Sequence, residues 1–204
     1  MYLCITNRTL CTGDFLNKIR ELAKRQEIEK IILREKDLEP GEYEVLAEKC
    51  WEICRENGKP LVINQFVGVA RRLGIPEVQI SMEALRKYAD NTPQKCVISG
   101  AGSTGNLHDT ELGVFHSVGV SVHSVPEAVE AQLLGAGYLI AGHIFLTDCK
   151  KGIPGRGLAF LEEMCKKVTI PVYAIGGISP DNIRDVIRAG AQGGCMMSGF
   201  MRES

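Results

Sequence analysis

The feature that most constrains the fold is an alternation, repeated eight times, of a short apolar run and a longer segment. The apolar runs are residues 2–6, 30–35, 61–64, 78–81, 118–122, 138–142, 171–177 and 193–199. They are apolar throughout, as in strands that are covered on both faces. Helical crossovers make such strands parallel. Eight units of about 25 residues predict an α/β fold, a (β/α)8 TIM barrel, as a single domain over residues 1–204.

The seven segments between these runs have helical period, and several carry residues that are typical of helix ends. They are residues 15–25, 42–57, 67–73, 82–90, 126–135, 158–168 and 179–190. Gly58 suits a helix end, because glycine adopts the left-handed conformation found there. Ser124 and Ser179 suit N-caps, and Pro180 suits the first helical position. An open dinucleotide-binding sheet would require GxGxxG after the first strand, which is absent.

Two stretches depart from the alternation. Residues 91–113 form a glycine-rich and polar insertion, which is either a lid over the site or a surface excursion. The chain ends a few residues after the eighth run, so we expect the last helix to be a stub. That stub would leave apolar barrel surface for a partner subunit, and we expect a homodimer.

The composition argues against several classes of partner. The net charge is −1, from 24 basic and 25 acidic residues, so neither nucleic acid nor an anionic membrane is expected to bind. Neither a spanning apolar run nor a signal peptide is recognisable, which predicts a cytoplasmic protein. The eight cysteines form no CxxC pair, so we expect reduced and mostly buried thiols, with Cys149 in a polar loop as the exception.

Polar residues collect at the predicted carboxyl ends of the strands, where barrels of this type carry their active sites. The glycines there let the backbone approach an oxyanion, next to two predicted helix N-termini. The cations suit a second anionic group. The predicted phosphate-binding residues are Gly176, Gly177, Ser198 and Gly199. The predicted cations are Arg34, Lys36 and Lys150. Further polar residues at strand ends are Glu35, Asn64, Gln65, Ser124, Thr147, Asp148 and Lys151.

Two histidines receive different interpretations. His123 directly follows the fifth apolar run, and its reference pKa lies near neutrality, so it is the predicted proton shuttle. His143 lies within the sixth unit, where a hydrogen-bonded structural histidine is expected.

Several segments together resemble the thiamine phosphate synthase superfamily, and within it the TenI thiazole tautomerases. The matching segments are LREKDL at 33–38, GVSVHS at 119–124, GHIFLTDCKKGIPGRGL at 142–158, IPVYAIGGISPDNI at 170–183 and MMSG at 196–199. The resemblance covers nearly the whole chain except 91–113. GHIF-TDCK followed by PGRGL is typical of the TenI branch, whereas the synthase branch usually has proline in place of His143.

The resemblance implies an isomerase that aromatises a carboxythiazole phosphate tautomer with no metal or other cofactor. His123 would be the acid and base. The glycines and Ser198 would hold the phosphate of this small phosphorylated thiazole. Arg34, Lys36 and Lys150 would hold its carboxylate, and Asn64 and Thr147 would complete the substrate site.

Three alternatives stay open. A thiamine phosphate synthase would join a pyrimidine diphosphate to a thiazole phosphate and would need magnesium. The family supplies an Asn-Asp pair and a further aspartate for that metal, where this chain has Asn64-Gln65 and Ala84, with Glu83 adjacent. A non-catalytic regulatory binder of thiamine-pathway phosphates is the second alternative. A different phosphosugar isomerase or epimerase is the third, although a paired-carboxylate or metal-histidine set is not recognisable.

Overall fold

Eight parallel strands close into a barrel in the part of the chain that the computed structural model describes, residues 1–90, 110–147 and 152–203. Each strand pairs with its neighbours in sequence, and β8 pairs with β1. The predicted (β/α)8 TIM barrel is therefore confirmed. The strands are β1 Tyr2–Ile5, β2 Ile28–Leu33, β3 Leu61–Asn64, β4 Glu77–Ser81, β5 Ser117–Val122, β6 Tyr138–Gly142, β7 Val172–Ile175 and β8 Gly193–Met196.

Helices follow the strands around the outside of the barrel. They are α1 Phe15–Lys24, α2 Pro40–Glu56, α3 Val67–Leu73, α4 Met82–Asp90, α5 Val125–Leu133, α6 Gly157–Lys167, α7 Ile183–Arg188 and α8 Ser198–Arg202. Short 3-10 helices occupy Arg8–Leu10 and Glu111–Val114. Within the described ranges, no helix combines the length and the apolar character that crossing a membrane requires.

Local sequence signals account for several helix ends. The Asp14 carboxylate accepts a hydrogen bond from the Asn17 backbone N–H at 2.8 Å and caps α1. Gly58 has φ 62°, so it ends α2 in the left-handed conformation, as predicted. Ser124 caps α5 by accepting from the Glu127 backbone N–H at 3.2 Å, also as predicted.

The start of α7 differs from the prediction. The helix begins at Ile183 and not at residue 179, and its N-cap is Asn182. The Asn182 side chain accepts from the Ser179 backbone N–H at 3.0 Å and donates to the Gly177 carbonyl at 2.7 Å. These two bonds close a separate turn between β7 and α7. Ser179 therefore belongs to the turn, and the prediction that it caps the helix was wrong.

The apolar residues form one layer inside the barrel and another between the sheet and the helices. The outer layer is larger and includes Ile19, Leu33, Tyr43 and Ile63. The inner layer fills the barrel. Its members are Leu3, Ile5, Ile32, Val62, Tyr138, Ile140, Tyr173 and Cys195. Because successive side chains alternate between the two faces of a strand, both layers need apolar residues, which explains the continuous apolar runs.

The six cysteines in the described residues are free thiols, as expected. Cys4, Cys50, Cys54 and Cys195 are buried, and Cys11 and Cys165 are half-buried. Burial raises the pKa of the Cys54 thiol to about 12. Cys96 and Cys149, and most of the predicted insertion at 91–113, lie outside the described residues.

Candidate functional site at the carboxyl ends of the strands

The apolar side chains of the inner layer identify which polar residues at the strand ends face the barrel opening. Ile32 and Val62 point inward, so Arg34 and Asn64, two residues further along, lie on the same side. We call the opening at the carboxyl ends of the strands the mouth, and define it by the last residue of each strand and the residues that follow it. The predicted site residues Arg34, Asn64 and His123 all belong to it.

His123 directly follows β5 and is exposed at the mouth. Its Nδ1 lies 3.1 Å from the carbonyl oxygen of Gly142, at the end of the neighbouring strand β6. A carbonyl oxygen can only accept, so Nδ1 carries the hydrogen and Nε2 keeps the lone pair. Nε2 makes no hydrogen bond to a described residue. This arrangement fixes the ring by one nitrogen and leaves the other as a base.

Backbone contacts hold the segment around His123 in place. The His123 backbone N–H donates to the Glu127 carboxylate at 2.6 Å, while Ser124 caps the same helix, α5. Glu127 thus binds the backbone just before the N-cap, and Ser124 binds the backbone of Glu127, at the start of α5. The histidine is therefore attached to a rigid helix start and not to a long loop.

Arg34 and Lys36 follow β2, and neither forms an ion pair with a described residue. Arg34 is half-buried and Lys36 is exposed. The neighbouring Arg8, in contrast, is 2.6 Å from Asp37. Arg34 and Lys36 thus have no ion-pair partner among the described residues, and their binding of an anionic ligand stays a prediction.

Glu35, between these two cations, turns in the opposite direction. Its carboxylate is 2 % exposed and accepts from the Thr6 hydroxyl at 2.5 Å and from the Arg8 backbone N–H at 2.9 Å. Burial raises the pKa of this carboxyl above its ordinary value, against the lowering effect of both hydrogen bonds. The sequence placed Glu35 among the polar strand-end residues but did not reveal that it lies beneath the mouth.

The predicted phosphate residues lie on two adjacent strand ends. β7 pairs with β8 through Ile175 and Cys195, so Gly176 and Gly177 follow one strand beside Ser198, which follows the other. Gly176 has φ 97° and Gly177 has φ 65°. The binding of phosphate by these residues stays a prediction.

Close packing also explains why these positions are glycines. A Cβ on Gly176 would lie 2.4 Å from Cβ of His143, and a Cβ on Gly177 would lie 2.5 Å from the carbonyl oxygen of Leu146. In the first turn of α8, a Cβ on Gly199 would lie 2.5 Å from Cε of Met196. The loop after β6 therefore packs directly on the backbone after β7.

The loop after β6 is described only in part. His143 is buried, and its Nε2 donates to the Ile153 carbonyl at 3.2 Å, so it is the hydrogen-bonded structural histidine that the sequence predicted. Thr147 is half-buried and has a bonding partner. Lys150, together with Asp148 and Lys151, lies outside the described residues.

The carboxyl ends of β3 and β4 carry neutral side chains. The Asn64 amide donates to the Gln79 carbonyl at 3.3 Å, and Gln65 is exposed with φ 66°. Ala84 lies in the first turn of α4. The adjacent Glu83 is exposed and forms an ion pair with Lys87 at 2.7 Å. Nowhere in the described part of the chain do three His, Cys, Asp or Glu side chains group as a metal site.

Tyr43 is a supporting residue whose role the sequence did not reveal. Its hydroxyl donates to the Leu33 carbonyl at 2.6 Å and accepts from the Asn64 backbone N–H at 3.3 Å. Its ring stacks on Phe66 with the centroids 4.1 Å apart. Tyr43 thus ties the ends of β2 and β3 together beneath Arg34. Helical periodicity indicated only a core residue.

Comparison with known proteins gives a consistent result along the chain. A family model described as thiamine monophosphate synthase matches residues 2–100 and 109–200. Thiamine-phosphate synthase from Clostridium novyi (strain NT) is 29 % identical over 208 residues, covering 99 % of this chain and 90 % of that protein. Thiamine-phosphate synthase from Clostridium botulinum (strain Kyoto / Type A2) is 30 % identical over 204 residues, covering 100 % and 90 %.

Solved structures agree with the sequence comparison. Thiamine phosphate pyrophosphorylase from Pyrococcus furiosus superposes with a TM-score of 0.77 at 28 % identity, covering 100 % of this chain and 88 % of that one. A 3-hexulose-6-phosphate synthase superposes with a TM-score of 0.61 at 15 % identity, covering 99 % and 98 %. The second similarity shows the fold alone.

Proposed function

The chain belongs to the thiamine monophosphate synthase family, and from this premise we propose that it is a thiazole tautomerase of thiamine biosynthesis. The proposed substrate is a carboxythiazole phosphate tautomer. In the reaction, one proton leaves the ring carbon that bears the carboxylate, and one proton is added to the exocyclic carbon. The product is the aromatic thiazole, and the reaction is an isomerisation.

In this proposal His123 moves the proton. Its Nε2 carries the lone pair, because Nδ1 donates to the Gly142 carbonyl. Nε2 accepts the proton from the ring carbon and then returns a proton to the exocyclic carbon on the same side of the imidazole. General acid–base catalysis of this kind contributes about 10²–10⁴-fold to a rate.

The anionic groups of the substrate would occupy the two ends of the mouth. Arg34 and Lys36, which have no ion-pair partner among the described residues, would bind the carboxylate together with the predicted Lys150. Gly176 and Gly177, beside Ser198 and Gly199, would bind the phosphate. Holding both anions positions the ring carbon against the imidazole and makes the proton transfer effectively unimolecular.

The observation that carries the proposal is the set of side chains at the ends of β3 and β4. The resemblance places a magnesium-binding Asn-Asp pair and a further aspartate there. The chain instead has the neutral Asn64 and Gln65, and Ala84, which offers no side-chain ligand. Mg²⁺ is a hard cation that is usually held through carboxylates. The residues present therefore do not fit this metal, and no step of the proposed reaction uses it.

The second candidate is thiamine phosphate synthase, the transferase that joins a pyrimidine diphosphate to a thiazole phosphate. The names of the relatives favour it, because the compared proteins of C. novyi and C. botulinum are called thiamine-phosphate synthases. On names alone the comparisons support this candidate better than the tautomerase. The tautomerase proposal depends on Gln65 and Ala84, the positions at which the metal ligands are replaced.

A parallel assay of the purified chain separates the two candidates. We expect the carboxythiazole tautomer to aromatise with growth of the thiazole ultraviolet band, at the same rate with EDTA and with Mg²⁺. Magnesium-dependent formation of thiamine phosphate from the two coupling substrates, without acceleration of aromatisation, would establish the synthase instead. Ligand-induced melting shifts without either reaction would identify the regulatory binder. The expected homodimer and cytoplasmic location stay predictions.

A further inference from the structure

Glu35 is a buried acid without an ion pair to a described residue. Among the described residues the buried acids are Glu35 and Glu77. Glu77 lies at the opposite end of the barrel and is paired with Lys30 at 2.5 Å. Glu35 has cations as sequence neighbours on both sides, and yet its hydrogen-bond partners among the described residues are the Thr6 hydroxyl and the Arg8 backbone N–H. The Arg8 guanidinium lowers the pKa of this carboxyl but forms its ion pair with Asp37. A buried carboxylate without an ion pair is costly and calls for a reason.

The hydrogen bonds of Glu35 connect it to the backbone of Arg34. The Thr6 hydroxyl donates to Glu35 and at the same time accepts from the Arg34 backbone N–H at 3.0 Å. Thr6 is fully buried at the end of β1. The backbone of Arg34 is therefore held by a hydroxyl whose own orientation is set by the carboxylate of the next residue.

The same carboxylate also binds the backbone of a second arginine, Arg8, whose side chain is paired elsewhere. Glu35 holds the backbone of Arg8, and the Arg8 guanidinium lies 2.6 Å from Asp37. Arg34, two residues beyond the inward-pointing Ile32, is left on the barrel side without an ion pair to a described residue. In this network Arg8 is paired with Asp37, whereas Arg34 faces the mouth.

We propose that Glu35, anchored by the Arg8 backbone N–H, is a positioning residue that holds Arg34 through Thr6 in the direction required to bind the substrate carboxylate. The inference rests on the proposed function for the identity of that carboxylate. Both oxygens of Glu35 are needed, because each accepts from a different donor. Glutamine has one carbonyl oxygen and an NH₂ group, so it can serve only one of the two donors.

The first test compares Glu35→Gln with Glu77→Gln as the matched control. Affinity is measured by isothermal titration calorimetry with the aromatic carboxythiazole phosphate as the probe, and stability by urea unfolding. We expect Glu35→Gln to weaken binding by about 10- to 100-fold, because a misplacement of about 1 Å in a binding clamp costs up to about 10²-fold. We expect Glu77→Gln to lose stability and to keep the affinity of the wild type.

A second pair of variants tests the same network without substituting Glu35, in case Glu35→Gln does not fold. Thr6→Val keeps the shape of the side chain and removes the hydroxyl that connects Glu35 to Arg34. Thr6→Ser keeps the hydroxyl. If the network positions Arg34, Thr6→Val weakens binding and Thr6→Ser retains it. Equal affinity in the two variants overturns the proposal.

The decisive test is a double-mutant cycle with Arg34→Ala. If Glu35 acts through Arg34, adding Glu35→Gln to Arg34→Ala weakens binding by less than about twofold further, because the group that Glu35 positions is already gone. Independent, multiplicative losses in the double variant overturn the positioning role. Wild-type affinity in Glu35→Gln overturns it as well and leaves the proposed function intact. No binding of the probe to the wild type overturns both.

Discussion

The two ends of the barrel interior differ in whether their charged groups have partners within the protein. At the amino ends of the strands, Lys30 pairs with Glu77 at 2.5 Å and lies 5.1 Å from the ring centre of Tyr138. Nearby, the Tyr173 hydroxyl donates to the Glu29 carboxylate at 2.8 Å. The charged groups named here have partners within the protein, whereas the Tyr138 hydroxyl is buried without a hydrogen-bond partner among the described residues.

At the carboxyl ends, the mouth presents Arg34, Lys36 and the Nε2 of His123 without such partners among the described residues. The acids near them have other partners: Glu35 is turned away into a buried network with Thr6, Asp37 is paired with Arg8, and Glu127 accepts from the His123 backbone N–H. The comparison indicates that the amino end is built for stability and that the mouth is built to receive a ligand that supplies the missing negative charge. The predictions below test this difference.

The largest effect is expected for His123→Ala. Removing the proposed base should lower kcat for aromatisation by about 10²–10⁴-fold while binding of the product is kept. His116→Ala is the control, because His116 is also exposed but precedes β5 at the amino end. The ultraviolet assay measures both. Wild-type turnover in His123→Ala would remove this residue from the mechanism.

A smaller but substantial effect is expected for Gly176→Ala. Its φ of 97° is strained for alanine, which costs about 1–3 kcal/mol, and the new Cβ would meet Cβ of His143 at 2.4 Å, which costs about 1–3 kcal/mol more. Gly13→Ala is the control, because Gly13 has φ 94° and open space around the added Cβ. Urea unfolding should show the larger loss for Gly176→Ala. Equal losses would mean that the loop after β6 yields to the added methyl group.

The pH dependence of stability should reveal the burial of Glu35. Its pKa in the folded state is raised above the ordinary value of 4.5. Between the two values the folded protein binds more protons than the unfolded one, so this group lowers stability as pH rises through that window. Glu35→Gln cannot titrate, and its free energy of unfolding should fall less over the same pH range. Parallel pH profiles of wild type and variant would contradict the assignment.

The smallest effect is expected for Gln65→Gly. Gln65 is the one non-glycine residue with positive φ among the described residues, at 66°. A left-handed conformation costs about 1–2 kcal/mol for a residue with a Cβ, and glycine loses about 0.5–1 kcal/mol through its own flexibility. A gain of up to about 1 kcal/mol in the free energy of unfolding should result. Gln26→Gly, in a turn without positive φ, should lose stability instead, and a loss in both variants would argue against strain at Gln65.

Much of the fold could be predicted because its signals are local. The bounds of α3 and β6 agree with the apolar runs and their periods, and Gly58 and Ser124 occupy the predicted helix ends. The start of α7 was missed because the Asn182 side chain bonds back to the Ser179 backbone N–H and to the Gly177 carbonyl, and so closes a turn ahead of the helix. The residues Ser179 and Pro180 suit the start of a helix and the start of such a turn equally well.

The site could be predicted in part for the same reason. Strand ends identified Arg34 and His123 as residues of the mouth, because parallel strands end on one side of a barrel. The burial of Glu35 depends on Thr6, which is 29 residues away in sequence. The support that Tyr43 gives to Asn64 spans 21 residues. Such long-range hydrogen bonds leave no periodic signal in the sequence.

The most direct test of the account compares Arg34→Ala with Glu77→Gln in two measurements on the same preparations, urea unfolding and calorimetric binding of carboxythiazole phosphate. Removing Glu77 leaves Lys30 unpaired in the barrel, which should cost about 3–5 kcal/mol of stability without changing the affinity. Removing Arg34 should change stability by less than about 0.5 kcal/mol and weaken binding at least tenfold. A loss of stability in Arg34→Ala without a loss of affinity would contradict the assignment of the mouth to ligand binding.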